Sequence, residues 1–178
     1  GSFKTIESSV SLWQPKGVFV IGTAFGLNAK EQRIGDVIAS KTIFTYEMGG
    51  DGKLVTGDCG LAGLQLSPRF DITGTMDWHF ANEAKNGEKC KIFLGEILSG
   101  PSNIQSDAEL IELFPHALGG ELQGVASSAL TSQSVQWMVV HGISQFNSSL
   151  GTQPENSSNF AVSAAVSVCH HILSRHCL

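Results

Sequence analysis

The sequence has little of what marks several large function classes. Its 11 Lys and Arg stand against 16 Asp and Glu, for a net charge of -5 over 178 residues. The basic residues are scattered singly, so the chain offers no electrostatic footprint for nucleic acid or for an anionic membrane surface. No apolar run approaches the roughly 18–20 residues that a membrane span needs, and no charged-then-apolar opening marks a secretion signal. Cysteine is sparse. Cys59, Cys90, Cys169 and Cys177 show neither metal-knuckle nor redox spacing, and they are expected to be reduced thiols in a cytoplasmic protein. The sequons at Asn147 and Asn156 carry weight only in a secreted chain. Neither G-x-G-x-x-G nor G-x-x-x-x-G-K-[ST] occurs, which disfavours a dinucleotide or P-loop site. There is no internal repeat.

What is present is the material of a single packed domain. Gly1-Ser2 has the look of a cloning remnant, which suggests a piece of a longer polypeptide. Residues 1–16 read as a polar lead segment and 17–178 as one domain. Gly17-Val18-Phe19-Val20-Ile21-Gly22 is short and continuously apolar, as expected of a strand covered on both faces. It runs into Gly22-Thr23-Ala24-Phe25-Gly26-Leu27, read as a sharp glycine turn able to line a pocket. Val37 through Tyr46 predicts one long strand or two joined by a kink. Residues 49–75 predict a long loop or a set of short strands.

Further along, a short helix is predicted over Asp77 to Ala84, then a strand over Cys90 to Leu98. Ser106-Asp107-Ala108-Glu109 opens a helix with Leu110, Leu113 and Phe114 on one side, stopped at Pro115. A strand-like stretch reaches Glu121, and the small residues Gly124 to Leu130 predict a closely packed helix. Trp137-Met138-Val139-Val140 lies in a second fully buried strand, Gln136 to Ile143. Residues 147–159 read as a polar loop, long enough to act as a flap or to be disordered. From about Phe160, Ala161, Ala164, Ala165, Val168 and Ile172 fall on one face of a final helix. Its end gathers His170, His171, Arg175 and His176, where a helix C-terminus favours positive charge; no metal is expected there. Buried strands alternating with helices argue for an α/β domain with a mixed sheet.

Five stretches, taken in order, resemble the purine nucleoside phosphorylase superfamily, and especially its methylthioadenosine/S-adenosylhomocysteine nucleosidases. They are Gly22 to Leu27; Ile34-Gly35-Asp36-Val37-Ile38-Ala39-Ser40; Gly95-Glu96-Ile97-Leu98-Ser99-Gly100; Phe114-Pro115-His116-Ala117 running into Gly120-Glu121-Leu122-Gln123-Gly124; and Val139-Val140-His141-Gly142-Ile143-Ser144-Gln145. The resemblance covers about residues 17–178. It implies a mixed central sheet flanked by helices, lacking the family's first strands, with the sheet edge or apolar face left there in need of cover. It also implies a purine nucleoside-like ligand, self-association, no cofactor, and phosphate only as a co-substrate of a phosphorylase. The implied ligand-binding positions are Thr23, Ala24, Asn103, Ile104, Glu121, Leu122 and Ser144.

The departures from the family concern chemistry. Its glutamate that holds the ribose hydroxyl falls at Gln123, and its aspartate that protonates or hydrogen-bonds the purine falls at Gln145. An amide can hydrogen-bond but cannot deliver a proton, and positioned acid catalysis is worth about 10²–10⁴-fold. The amide at Gln123 also lacks the charge that would stabilise a sugar cation. The stacking aromatic falls at Asn103, and an arginine falls at His141. Each residue has a plainer reading: Gln123 and Gln145 as half-buried amides, Thr23 as a turn hydroxyl, His141 as a satisfied structural histidine. The expected function is therefore a catalytically impaired module that senses a purine nucleoside or assembles a larger protein. The alternative is an active nucleosidase or phosphorylase using a different acid, such as Glu155 or Asp107.

Overall fold

The computed structural model describes residues 2–15, 17–61, 78–82, 87–100, 107–121, 136–146 and 156–174. The lead segment is helical, α1 (Ser2–Trp13), and its end is bare: Leu12 and Trp13 are each 77% exposed. Strands β1 (Gly17–Gly26), β2 (Val37–Met48) and β3 (Leu54–Leu61) follow. The β-branched stretch is thus one long strand, and part of the 49–75 region is a strand antiparallel to it. Next come the short pair β4 (Ala81–Asn82) and β5 (Glu88–Lys89), then β6 (Ile92–Ser99), α2 (Asp107–Leu113), β7 (Ala117–Glu121), β8 (Gln136–Phe146) and α3 (Ser157–Ser174). Among the described residues, no helix is long and apolar enough to cross a membrane.

The main sheet runs β3-β2-β6-β7-β1-β8, and β8 then pairs back onto β2. Five strands therefore close a ring, with β3 outside it. The ring is mixed: β1 and β8 are parallel, as are β2 with β6 and β6 with β7, while β1–β7 and β2–β8 are antiparallel. Period-two alternation sorts the side chains. On β8, Trp137, Val139 and Ile143 join Ala24, Ile38, Ile43 and Ile97 in one cluster, on the inner face of the ring. Met138 and Val140 face the other way, packing with Val37 and Ala39 against Ala164, Ala165, Val168 and Ile172 of α3. Those α3 positions are the ones its periodicity singled out. A third cluster joins Phe25, Tyr46 and Leu98 to Leu110 and Phe114.

Four expectations are corrected. Residues 22–26 belong to β1 and are extended, because their glycines serve close approach rather than a turn. Trp78 to Asn82 is not helical: Trp78 is buried, His79 exposed and Phe80 half-buried, a period of two imposed by packing on α3. The Trp78 ring stacks on Phe80, Phe80 meets Phe160, and Trp78 Nε1 donates to Ser167 Oγ at 3.1 Å. Leu113 is 39% exposed, because Phe114, just beyond the end of the seven-residue α2, takes the buried position. Finally, α3 begins at Ser157 rather than near Phe160. The helix expected over Gly124 to Leu130 lies outside the described residues.

Candidate functional site

The C-terminal half of β1 lies between two strand ends. On one side β8 runs parallel to it, with Gly22 opposite His141, Thr23 opposite Gly142 and Ala24 opposite Ile143. The register then slips, so that Phe25 faces Gln145 and Ser144 is the extra residue. On the other side β7 meets β1 only at its tip, with Phe25 opposite Gly120 and Gly26 opposite Gly119. Glu121, one residue further on, is paired with Ser99 at the end of β6. Thr23, Ala24, Glu121, Ser144 and Gln145, all expected at the site, are thereby gathered around one strand. Asn103, Ile104, Leu122, Gln123 and Glu155 lie outside the described residues, and Asp107 opens α2.

Local hydrogen bonds fix this arrangement. The backbone of Gly35 and Asp36 holds β8 at Ile143: Gly35 N donates to Ile143 O at 2.8 Å, and Ile143 N donates to Asp36 O at 2.7 Å. The Asp36 carboxylate accepts from Arg33 N at 2.8 Å and Lys91 N at 2.7 Å. It is a structural clamp, and burial raises its pKa above the ordinary value against the pull of those bonds. The slip on β8 is tied down by Ser144 Oγ, which donates to Ala24 O at 3.4 Å. Gln145 is buried beside it, 7% exposed.

The charged part of the site is also buried. Ser99 Oγ donates to Glu121 Oε1 at 2.5 Å, a short charge-assisted bond. Tyr46 feels the same carboxylate, and burial first and Glu121 second push its phenol well above the usual range. Ser99 and Tyr46 were not recognised as site residues from the sequence. Ser99 ends a strand already quoted for the resemblance, but its pairing with Glu121 is set by the register of β6 on β7 and is not written in either segment. Tyr46 ends a β-branched run and carries no signal of its own.

His141 departs from expectation. It is 3% exposed, and its Nδ1 is buried without a hydrogen-bond partner among the described residues. Its ring lies over Gly22, where an added Cβ would stand 3.1 Å from Nε2. Burial lowers its pKa to about 4, with Glu121 pulling the other way, so the imidazole is neutral at physiological pH. Among the described residues no group of three or more His, Cys, Asp or Glu converges for a metal. Cys90 and Cys169 are free and buried. The assembled groups can accept and donate hydrogen bonds, but Gln145 cannot transfer a proton.

No family model matches the chain. A Death domain-containing ATP nucleosidase from Amphimedon queenslandica is 27% identical over 192 residues, covering 95% of this chain. The chain spans about a third, 36%, of that curated relative's length. The adenine complex of a methylthioadenosine/S-adenosylhomocysteine nucleosidase from Colwellia psychrerythraea superposes with a TM-score of 0.66 at 17% identity, covering 97% of this chain and 72% of that one. The fold is a mixed α/β fold like that of the methylthioadenosine/S-adenosylhomocysteine nucleosidases. The Neisseria meningitidis methylthioadenosine/S-adenosylhomocysteine nucleosidase with methylthio-immucillin-A gives a TM-score of 0.63 at 15% identity, over 94% of this chain and 73% of that one. Helicobacter pylori futalosine hydrolase gives 0.61 at 17% identity, over 96% and 74%.

Proposed function

We propose that the chain is a purine nucleoside- or nucleotide-binding module of nucleosidase fold whose cleavage of the N-glycosidic bond is strongly impaired. The observation that carries this reading is Gln145, an amide buried at the end of β8, at the position where the resemblance places an acid. Cleavage makes the departing purine more basic, and a proton or a strong hydrogen bond at the ring must meet that change. A neutral amide supplies only the weaker interaction, and the lost acid is worth about 10²–10⁴-fold in rate. Binding has no such requirement. The backbone of Thr23 and Ala24, the Ser144 hydroxyl and the Glu121 carboxylate supply polar groups in a largely apolar setting, the usual make-up of a small-molecule site.

A second reading, a working nucleosidase, is favoured by the relative named as an ATP nucleosidase and by the buried Glu121 carboxylate. Incubation with ATP, adenosine, methylthioadenosine and inosine, with and without phosphate, separates the two when free base is measured. Base release above the uncatalysed background overturns the impaired reading. Thermal stabilisation by the same compounds without release supports it, since ligand at a hundredfold its Kd adds about 2.7 kcal/mol. A stable oligomer that ignores every one of them points instead to assembly.

A further inference from the structure

The run Val18 to Ile21 is apolar without interruption, the composition of a strand covered on both faces. The structure leaves it half covered. Its partners on β8, Trp137 to Val140, are buried, whereas Val18, Phe19 and Val20 are half-buried and Ile21 is 40% exposed. The cause is an open edge. β7 meets β1 only at Phe25 and Gly26, so among the described residues no strand pairs the outer edge of Gly17 to Thr23. That edge has none of the usual protections: no charge, no proline, and no bulge before Ala24.

A second bare surface lies beside it. On α3, Phe160 and Ser167 turn one flank towards Phe80, Trp78 and Gly35, on the β2 side of the sheet. Val162, Val166 and Leu173 fall on the opposite flank, towards β1, and are 37%, 48% and 52% exposed. A solvent-facing flank of a helix is ordinarily polar or charged. Here no Asp, Glu, Lys or Arg occurs anywhere in α3 or β1, although the chain carries 16 acidic and 11 basic residues elsewhere. The end of α1 does not fill the place: Leu12 and Trp13 are each 77% exposed, and none of the core clusters takes a residue from α1.

The two surfaces share one centre. Ala161 lies over Gly142, which is level with Thr23 of β1, and from there α3 runs back over Val140 and Met138. Val20, the middle of the open edge, is about 10 Å along β1 from Thr23. The same distance along α3 from Ala161 is about six or seven residues, which reaches Ser167 or Val168. That is also the midpoint between Val162 and Leu173. A two-fold axis at this point serves both surfaces at once. Antiparallel pairing of two β1 edges about Val20 sets Phe19 of one copy opposite Ile21 of the other. It also brings the two α3 helices to about 10 Å, close to the usual packing distance, with Val162 of one against Leu173 of the other.

We propose that this face is a two-fold interface with a second copy of the chain, joining the sheets edge to edge through β1 and packing α3 on α3. The occupant is a second copy because the face complements itself about a single axis, as a two-fold contact requires, and has no like charges to oppose there. The interface is independent of the nucleoside-binding function proposed above.

Sedimentation velocity from about 1 to 100 µM tests it, because self-association depends on concentration. Wild type is expected at twice the 18.9 kDa of one chain. Val166→Lys with Leu173→Lys, both at exposed positions, should weaken association by at least about a hundredfold, with far-UV circular dichroism unchanged. Ile111→Lys, similarly exposed but on α2, should leave the dimer intact. The geometry is tested by mixing Val162→Cys copies with Leu173→Cys copies: a short bismaleimide should join residue 162 of one to residue 173 of the other, identified by peptide mass. A wild-type monomer throughout overturns the proposal and leaves the edge to a strand from another polypeptide. A dimer that survives the lysine pair also overturns it. If the lysine pair fails to fold, the linkage decides: a dimer without the 162-to-173 link between copies overturns it. So does a link within one chain carrying Trp13→Cys and Leu173→Cys, which would lay α1 on the face.

Discussion

His141 and Gln145 lie on the last turn-free stretch of one strand and set the chemistry of the site in opposite ways. One holds a titratable ring where water cannot reach it; the other stands as an amide where an acid would be expected. Returning both aligned carboxylates, Gln123→Glu with Gln145→Asp, should raise adenine release from adenosine by at least about a hundredfold over wild type, measured by chromatography of free base. An unchanged rate would count against the aligned roles of both positions. The pH response belongs to His141. Its folded pKa, about 4, lies below the ordinary 6.5 because of burial. Unfolding releases a ring that takes up a proton below about pH 6.5, so this contribution to stability is full above that value. It is lost as pH falls towards about 4, at up to about 1.4 kcal/mol per pH unit. Asp36 acts in the opposite sense: its raised pKa favours the folded state at the acid end, and that gain is lost as pH rises through it. Urea unfolding between about pH 7 and pH 5 should therefore show the decline in wild type and a flatter profile in His141→Asn. Residue identity, including the two amides, was legible from the sequence. The unsatisfied state of His141 was not, because it depends on what surrounds the ring across three strands.

At the level of elements, sequence reading succeeded where a single period dominated. Val37 to Tyr46 and Gln136 to Ile143 are β-branched and apolar enough to specify strands unaided, and the alanine-rich face of α3 is buried as its spacing requires. Reading failed where a residue's role is set by a distant neighbour. Gly22 and Gly26 look like turn residues, yet they lie within β1 because the His141 and Phe146 rings pack onto them. Trp78 to Asn82 looked helical, and the aromatic stack on α3 made it extended. Gly142 shows the same principle most sharply. A Cβ there would collide with the backbone oxygen of Ala161, so α3 sits directly on β8 through this glycine. Gly142→Ala is expected to destabilise by at least about 1–3 kcal/mol in chemical denaturation, since helix backbone must shift to make room. Trp78→Phe removes the bond to Ser167 and should cost about 1 kcal/mol, with faster proteolytic cleavage near residues 78–82 as its sign.

Across the whole molecule, the alternation of strands and helices was enough to give the α/β class, but closure of the ring was not written in any one segment. It depends on β8 pairing β1 on one edge and β2 on the other, with Val37 opposite Gly142 and Ala39 opposite Val140. Such a ring should unfold as one unit. Ile143→Ala, at a fully buried position inside it, is expected to cost about 2–5 kcal/mol, with tryptophan fluorescence and far-UV circular dichroism tracing coincident transitions. Separate transitions would show that the ring is not a single cooperative body. The order of synthesis adds a further consequence. β1 ends at Gly26 and β2 at Met48, but their common partner starts at Gln136. At the usual pace of about 5–20 residues per second, β1 leaves the ribosome roughly 5–20 s before the strand that pairs with it. During that interval the nascent chain carries apolar strands with open edges, so soluble yield should depend on translation speed and on the chaperones that attend it.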